Sequence, residues 1–291
     1  MQSHPKPQEL LRTRPEESAF VLPGGYVDEA GVAHREVILH PLTGHDQAYL
    51  ASLPPATPSA AVVTQLLARS IRRIGTVPSV DAALVRRMLV GDREFLILKL
   101  RQMTKGSKLH VTLHCAPDGC GKDMGISLAL DSIPIEERAV EGRIFTHELD
   151  AADRIEFRLP TGEDQEELAG RTDHAAAVSE LLTRCIVAVP PALTFAEAAP
   201  LVEDAIERSA PRVDLEVEAR CPECGHVLTT ALDLAWLALS DLAGDPGDIW
   251  HDVHVLAWNY HWPESEILAL TPKARRRYID LITQEFERTG S

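Results

Sequence analysis

The chain contains two similar segments, and this internal similarity restricts its fold more than any other feature of the sequence. Residues 37–50 and 155–168 share Thr, Gly, Asp, Gln and Leu at five equivalent positions. Residues 63–71 and 178–186 match at nearly the same offset. Each match is followed by an apolar segment, a pair of cysteines and a second apolar segment. This order of features predicts two degenerate copies of one structural unit.

Each copy begins with a segment that alternates like a strand and continues into predicted helices. Thr43 and Asp46 have the spacing of a helix-capping pair, and so do Thr161 and Asp164. The following helix carries apolar residues three and four positions apart, a stripe typical of a core-facing surface. Cys185 lies on this stripe, so we expect its thiol to be buried in the core rather than reactive.

The other four cysteines form two close pairs, Cys115 with Cys120 and Cys221 with Cys224. A glycine follows the last cysteine of each pair, and glycine tolerates the positive φ that turns backbone N–H groups toward a thiolate. Two hairpin tips of this kind supply four sulfurs at about 2.3 Å around a tetrahedral zinc ion. We therefore predict a structural zinc site to which each copy contributes half. Strand-like segments flank the pairs at residues 109–113, 125–130, 213–217 and 227–234.

Three other interpretations of the cysteines stay open. A thioredoxin-type redox pair is disfavoured because such a pair lies where a strand enters a helix, whereas these pairs lie between strands. One of His110, His114 or His226 could replace a sulfur ligand without changing the role of the metal. An incomplete zinc shell with a bound water would instead indicate a metalloenzyme.

The charge of the chain bears on a further alternative, a zinc ribbon that binds nucleic acid. Lys105, Lys108 and Lys122 near the first pair favour it. Acidic residues around the second pair oppose it. So does the whole composition, with 44 acidic against 29 basic residues, a net charge of -15 and a pI near 5.2. Such a body repels phosphate backbones. We therefore expect no nucleic-acid partner.

The chain lacks the patterns of membrane insertion, secretion and catalysis. No apolar run approaches the roughly 20 residues of a membrane span, and the first residues do not have the order of a signal peptide. We accordingly expect a cytoplasmic protein, in which cysteines serve metal sites rather than disulfides. No phosphate-binding glycine loop, serine hydrolase elbow or zinc protease motif occurs. The sequence thus predicts a non-enzymatic protein.

The C-terminal part is predicted to be helical and rich in tryptophan. Three of the four tryptophans fall between Trp250 and Trp262. They either pack this segment onto the body or form a surface for another protein. Ile249, Val253, Leu256 and Tyr260 form one apolar helical face. In the last helix, which Thr271 and Pro272 open, the residues expected to face inward are Tyr278, Leu281, Ile282 and Phe286.

The order of these features resembles the baseplate hub and hub-assembly chaperone proteins of T-even-type phages, whose relatives occur with contractile injection systems. The resemblance runs from about Phe20 onward. It includes the Cys-Pro-x-Cys-Gly sequence at 221–225 and the terminal sequences at 260–270 and 275–278. The longer spacing of Cys115 and Cys120 departs from the tighter form of the second pair. The resemblance implies a non-enzymatic role in building or forming the hub of a contractile particle.

These inferences give an α+β fold of two strand–helix–zinc-knuckle repeats joined by a four-cysteine zinc ribbon, plus a C-terminal helical tail. The expected partners are hub, spike or tube proteins of a contractile particle. The predicted divisions are an N-terminal arm at 1–35, repeats at 36–135 and 136–243, and a helical docking segment at 244–291. The predicted partner-binding residues are Trp250, Trp258, Tyr260, His261, Trp262, Arg275, Arg276 and Arg277.

Overall fold

The computed structural model describes residues 17–115, 120–149 and 153–289. Over these residues the protein combines helices with small antiparallel sheets, namely two three-stranded sheets and two separate hairpins. This mixed architecture confirms the expected combination of helices and strands. Most of the predicted N-terminal arm, residues 1–16, lies outside the described residues, as do 116–119 in the first cysteine loop.

The first unit contains one three-stranded sheet, four helices and one hairpin. Its sheet has the strand order β1-β2-β3, with both neighbours antiparallel. Because β1 pairs with β2, the structure extends this unit back to residue 18. The elements are β1 (Ser18–Val27), β2 (Ala33–Leu39), α1 (Gly44–Ser52), α2 (Ser59–Ser70), β3 (Ile71–Ile74), α3 (Ala82–Arg86), α4 (Val90–Lys105), β4 (Lys108–His114) and β5 (Asp123–Ala129).

The second unit follows a similar order of elements with shorter strands. Its sheet has the order β6-β7-β8, also antiparallel, and its hairpin joins β9 to β10. The elements are β6 (Phe145–Glu148), β7 (Arg154–Phe157), α5 (Gly162–Glu167), α6 (His174–Cys185), β8 (Ile186–Ala188), α7 (Phe195–Ser209), β9 (Glu216–Arg220) and β10 (Val227–Ala231).

Matching backbone contacts occur in the two units. The N–H of His40, just after β2, donates to the carbonyl of Ser70 at 3.0 Å, and the N–H of Arg158, just after β7, donates to the carbonyl of Cys185 at 2.8 Å. Each bond ties the end of the middle strand to the end of the second helix. The strand–helix–helix–strand path is therefore closed in the same way in both units.

Four helices follow the second hairpin: α8 (Leu234–Ala243), α9 (Pro246–Tyr260), α10 (Glu264–Leu268) and α11 (Pro272–Thr289). The last three match the predicted tail, including the helix start at Pro272. Helix α8 lies where the sequence predicted the end of a strand at 227–234. The observed strand β10 ends at Ala231, and the Asp233 carboxylate then accepts a hydrogen bond from the N–H of Trp236 at 2.8 Å and so caps α8. The preceding strand, predicted at 213–217, is shifted to β9.

In the described part of the chain, the buried apolar residues form three clusters. The largest unites the first unit with Cys221 and α8. The second fills the second unit and includes Val27 of β1, and the third lies within α9, α10 and α11. Cys185 is fully buried, as expected. In α11, Tyr278 and Ile282 are buried, but Leu281 and Phe286 are 42% and 65% exposed, so the predicted inner face was too wide. A helix packed along one side buries only a narrow stripe.

A buried carboxylate holds the irregular part of β1. The backbone N–H groups of Gly24 and Gly25 donate to the two oxygens of Asp92 at 2.8 and 2.9 Å, where the pairing of β1 with β2 is interrupted. Asp92 is fully buried, and burial raises its pKa to about 6 although the two N–H groups oppose the shift.

No helix in the described part of the chain is long and apolar enough to cross a membrane.

Candidate metal centre and helical surface

The two cysteine pairs lie at the tips of the two hairpins, between strands as the sequence predicted. Cys115 directly follows β4 and Cys221 directly follows β9. The N–H of Cys115 donates to the carbonyl of Lys122 at 2.9 Å, and the N–H of Cys221 donates to the carbonyl of His226 at 2.8 Å. Each tip is therefore closed by an equivalent hydrogen bond across the hairpin.

Both tips contain a glycine in the left-handed region of backbone conformation. Gly121 has a φ of 66° and Gly225 a φ of 76°, values that other residues rarely adopt. This conformation of Gly225 allows its N–H to donate to the carbonyl of Cys221 at 2.9 Å. The prediction that these glycines adopt positive φ is confirmed.

The four thiols converge on one point between the hairpins. The sulfurs of Cys115 and Cys224 are 3.7 Å apart, those of Cys120 and Cys221 are 3.6 Å apart, and all four lie within 4.8 Å of one another. Zn–S bonds of about 2.3 Å in a tetrahedron place the sulfurs about 3.8 Å apart. The cluster has the donors and the spacing to hold a metal ion.

The surroundings of the cluster are half buried and half open. Cys115 and Cys221 are buried, whereas Cys120 and Cys224 are exposed. The backbone N–H groups of Cys224 and Glu223 hydrogen-bond the sulfur of Cys221 and lower the pKa of this thiol to about 7. Backbone N–H groups act in the same direction on Cys115 and Cys120, but burial and hydrogen bonds between the thiols outweigh them and instead raise the pKa of these two thiols. Metal binding requires the thiolate form of each ligand.

No histidine joins the cluster among the described residues. His110 is hydrogen-bonded to the Ser127 hydroxyl at 2.8 Å, and His114 contacts the Asp123 carboxylate at 2.9 Å. The two tips are also linked by an ion pair of 3.1 Å between Lys122 and Glu223. The candidate ligand set is therefore Cys115, Cys120, Cys221 and Cys224.

The predicted partner-binding residues divide into an exposed and an inward-facing group. Trp250 and Trp258 are 48% and 74% exposed on α9, and His254 lies between them and stacks on Trp258. His261, Arg276 and Arg277 are also exposed. The inward-facing residues are Tyr260, Trp262 and Arg275.

These three residues contribute to the packing of the helical tail. The ring of Trp262 stacks on Tyr260 with centroids 4.8 Å apart and meets Tyr278 edge-on at 5.0 Å. Arg275 is 1% exposed and bonds the Asp252 carboxylate at 3.2 Å. A surface for a partner on this tail is therefore restricted to the exposed group.

The capping pairs at the start of α1 and α5 are confirmed, and the second is reinforced by arginines. The Asp46 carboxylate accepts from the Thr43 N–H at 2.8 Å, and the Asp164 carboxylate accepts from the Thr161 N–H at 2.9 Å. Asp164 also bonds two arginines, Arg158 and Arg184. In the first unit the counterpart of Arg184 is Arg69, which lies 3.7 Å from Asp46.

Asp164 is nearly inaccessible to water, with 1% of its side chain exposed. Burial raises the pKa of this carboxyl, but hydrogen bonds from Arg158 at 2.6 Å and Arg184 at 2.8 Å outweigh burial and hold the pKa well below its usual range. The Leu-Leu-x-Arg sequence shared by the two copies is the signal in the sequence that points to Arg184.

Residues 60–191 match the model of a family described as T4 bacteriophage base plate protein. The match confirms the resemblance to T4-type phage baseplate proteins. No curated protein and no solved structure matches the chain.

The region matched to the baseplate family runs from α2 to β8 and so crosses from the first unit into the second. It contains Cys115 and Cys120 but not Cys221 and Cys224. The matched baseplate region therefore contributes half of the thiol cluster, and the hairpin that follows it contributes the other half.

Proposed function

We propose that the chain is a non-enzymatic hub component or hub-assembly chaperone of a phage-tail-like contractile particle, folded around a structural zinc ion. The observation that carries this proposal is the baseplate-family match over residues 60–191. Within a contractile particle the protein would assemble with hub, spike or tube proteins. We place this assembly in the cytoplasm, where thiols stay reduced.

The donor set supports zinc as the metal. Four thiolates in a tetrahedral arrangement favour zinc over the hard cations that prefer oxygen ligands. Four protein ligands complete the shell and leave no position for water or substrate, which supports a structural rather than a catalytic ion. When bound, the ion would connect the β4–β5 tip to the β9–β10 tip, and its binding free energy would contribute to folding.

The exposed stripe on α9 supports a protein partner. Trp250, His254 and Trp258 lie about one turn apart, so the two tryptophans share one side of the helix. Tryptophan is enriched at the centre of protein interfaces. Arg276 and Arg277 are exposed on α11, where Arg276 pairs with Asp280 at 3.3 Å. We propose that this surface contacts another baseplate protein.

The surroundings of the lysines support a protein partner over a nucleic acid. Lys122 pairs with Glu223 at 3.1 Å, and Lys105 lies 3.3 Å from the Asp241 carboxylate. Lysines that already face carboxylates have less positive potential to offer a phosphate backbone. The charge of -15 over the chain acts in the same direction.

Substitution of one ligand tests the metal proposal. Cys221→Ser is expected to remove stoichiometric zinc, measured by mass spectrometry of metals, and to lower the melting temperature sharply because a structural site contributes on the order of 10 kcal/mol. Cys185→Ser is the matched control, since this thiol is buried outside the cluster and its loss should leave the zinc content unchanged. Equal zinc content in both variants would contradict the ligand assignment.

Co-purification with sheath, tube and spike proteins tests the baseplate role. Trp258→Ala is expected to reduce this co-purification while leaving the melting temperature unchanged, because its side chain is 74% exposed. Trp236→Ala is the control, since Trp236 is 55% exposed but lies on α8. If the chain joins no such particle, or if both variants join it equally, the proposed role or the proposed surface is wrong.

A further inference from the structure

The chain uses one type of helix-to-turn contact twice. The acceptor turns are residues 43–47 and 161–165, which share the sequence Thr-Gly-x-Asp-Gln. Each turn receives a helix pair, defined as a five-residue helix, a three-residue connection and the start of a long helix. The first pair is α3 and α4, and the second is α10 and α11.

The two helix pairs contact their turns through equivalent backbone atoms. The N–H of Gly162 donates to the carbonyl of Met88 at 3.0 Å, and the N–H of Gly44 donates to the carbonyl of Leu270 at 3.0 Å. Met88 and Leu270 are both the middle residue of the connection in their pair. The glycine is required in both turns because a Cβ there would approach the bound pair closer than 3.0 Å.

Each helix pair also provides a buried arginine from the fourth residue of its long helix. Arg93 and Arg275 are each 1% exposed. The Nε of Arg93 donates to the Gln165 side-chain oxygen at 3.1 Å, and the Nη2 of Arg275 donates to the Gln47 side-chain oxygen. The glycine and the glutamine of each turn therefore recognise the same two features, a carbonyl and an arginine.

The two pairs reach their turns from different places in the chain. The first pair belongs to the first unit and binds the turn of the second unit. The second pair lies at the C-terminal end and returns to the turn of the first unit. Acceptor turns therefore bind helix pairs that come from another part of the protein.

The C-terminal helices pack together as one body. Helices α9, α10 and α11 share their own buried cluster, which includes Leu256, Trp262 and Ile267 and meets α1 through the small residues Ala48 and Ala51. Only Gly244 and Asp245 connect α8 to α9, and Gly244 has a φ of 58°. Such a short connection at a glycine is a suitable hinge for exchange between copies.

We infer that the C-terminal segment 245–289 exchanges between two copies of this chain, each inserting its helix pair into the 43–47 turn of the other. A second copy is the fitting occupant because it carries the same carbonyl and arginine in the same arrangement. In the free chain the tethered segment acts at an effective concentration in the millimolar range, so a dilute protein remains closed on itself.

Two full-length variants test the exchange by complementation. Arg275→Ala damages the helix pair but keeps the acceptor turn, whereas Gly44→Ala blocks the turn but keeps the pair. Each variant weakens closure of the tail on the 43–47 turn of its own chain, whereas the intact turn of the first can accept the intact pair of the second. The two variants are given different tags and mixed, and native mass spectrometry is expected to show a one-to-one heterodimer. Its amount should exceed by at least about tenfold the dimer formed when two differently tagged samples of Arg275→Ala are mixed.

Gly162→Ala is the matched control for Gly44→Ala, because it blocks the other acceptor turn and leaves the 43–47 turn able to close within its own chain. Mixed with Arg275→Ala, it is expected to give no such excess. Should either original variant fail to fold, Gln47→Ala and Arg275→Lys provide a milder pair. Folded variants that stay monomeric after mixing would overturn the exchange. These purified proteins need no baseplate partner, so the result is independent of the proposed function.

Discussion

Asp164 and Asp46 occupy the same position in the two units. Replacing each with asparagine separates the contribution of a helix cap to the free energy of unfolding from the contribution of a buried ion cluster. Both carboxylates cap a helix through a threonine N–H. Asp164 additionally bonds Arg158 and Arg184 at 2.6–2.8 Å, whereas Asp46 lies 3.7 Å from its nearest arginine. Asparagine keeps one acceptor oxygen and removes the charge in both cases.

The expected losses follow from these contacts. Loss of the charge weakens the cap by at most about 1 kcal/mol, which is the whole effect expected for Asp46→Asn. For Asp164→Asn the weakened charge-assisted bonds add to this. The two arginines are 28% and 30% exposed, so they regain some hydration and the total is about 3 kcal/mol, the low end for breaking a buried ion pair. Equilibrium urea unfolding of both full-length variants at pH 7 measures the difference.

The pH dependence provides a second readout of the same cluster. Since the pKa of Asp164 is lowered in the folded state, its contribution to stability is fully present above the unfolded pKa of about 3.9 and declines as the pH falls below it. The gap between the wild type and Asp164→Asn should therefore narrow below pH 4. Equal losses for Asp164→Asn and Asp46→Asn at pH 7 would refute the assigned role of the two arginines.

Two further predictions concern buried sites. Because burial raises the pKa of Asp92 to about 6, the folded state holds a proton that the unfolded state releases above pH 4. Lowering the pH from 8 to 5 should therefore stabilise the wild type relative to Asp92→Asn by about 1.4 kcal/mol in urea unfolding, and a constant difference would contradict this. Gly162→Ala should cost about 1–3 kcal/mol, since its Cβ would lie 2.1 Å from Arg93, while Gly125→Ala has no atom within 4 Å of its Cβ and should change stability little. Equal thermal shifts would contradict the packing argument.

The features predicted correctly from the sequence are those set by neighbouring residues. The capping pairs, the positive φ of Gly121 and Gly225, and the helix start at Pro272 all depend on a few adjacent positions. The convergence of the four cysteines depends on long-range structure, yet it could be predicted because zinc-ligand spacing occurs twice in the chain. Each cysteine pair supplies only half of the ligands of a zinc ion, so two such pairs predict one shared site.

The contacts of Arg93 could not be predicted in this way. Its guanidinium bonds Gln165 and packs on Gly162 in the other unit, whereas its remaining hydrogen bonds, to Thr64, Val85 and Ala60, stay within the first unit. The same contact between a helix pair and a Thr-Gly-x-Asp-Gln turn occurs a second time with Arg275. Alignment of the two units does not reveal it, because the helix pair of Arg275 lies in the tail, outside both copies. Leu281 and Phe286 were misplaced for a different reason: periodicity predicts an apolar face but not how much of that face a neighbour covers.

A metal between the hairpins would stabilise the part of this fold that is packed least well against the core. Each hairpin has two strands, and an isolated two-stranded hairpin is marginally stable in water. In β4 the residues alternate between buried and exposed, but no residue of β9 is fully buried, so the second hairpin gains less from the core. Its tip is tied to the rest of the protein through the buried Cys221 and the ion pair of Glu223 with Lys122. A bound ion would add the strongest contact at the place where apolar packing is weakest, so removal of the metal should disorder β9 and β10 before the two sheets.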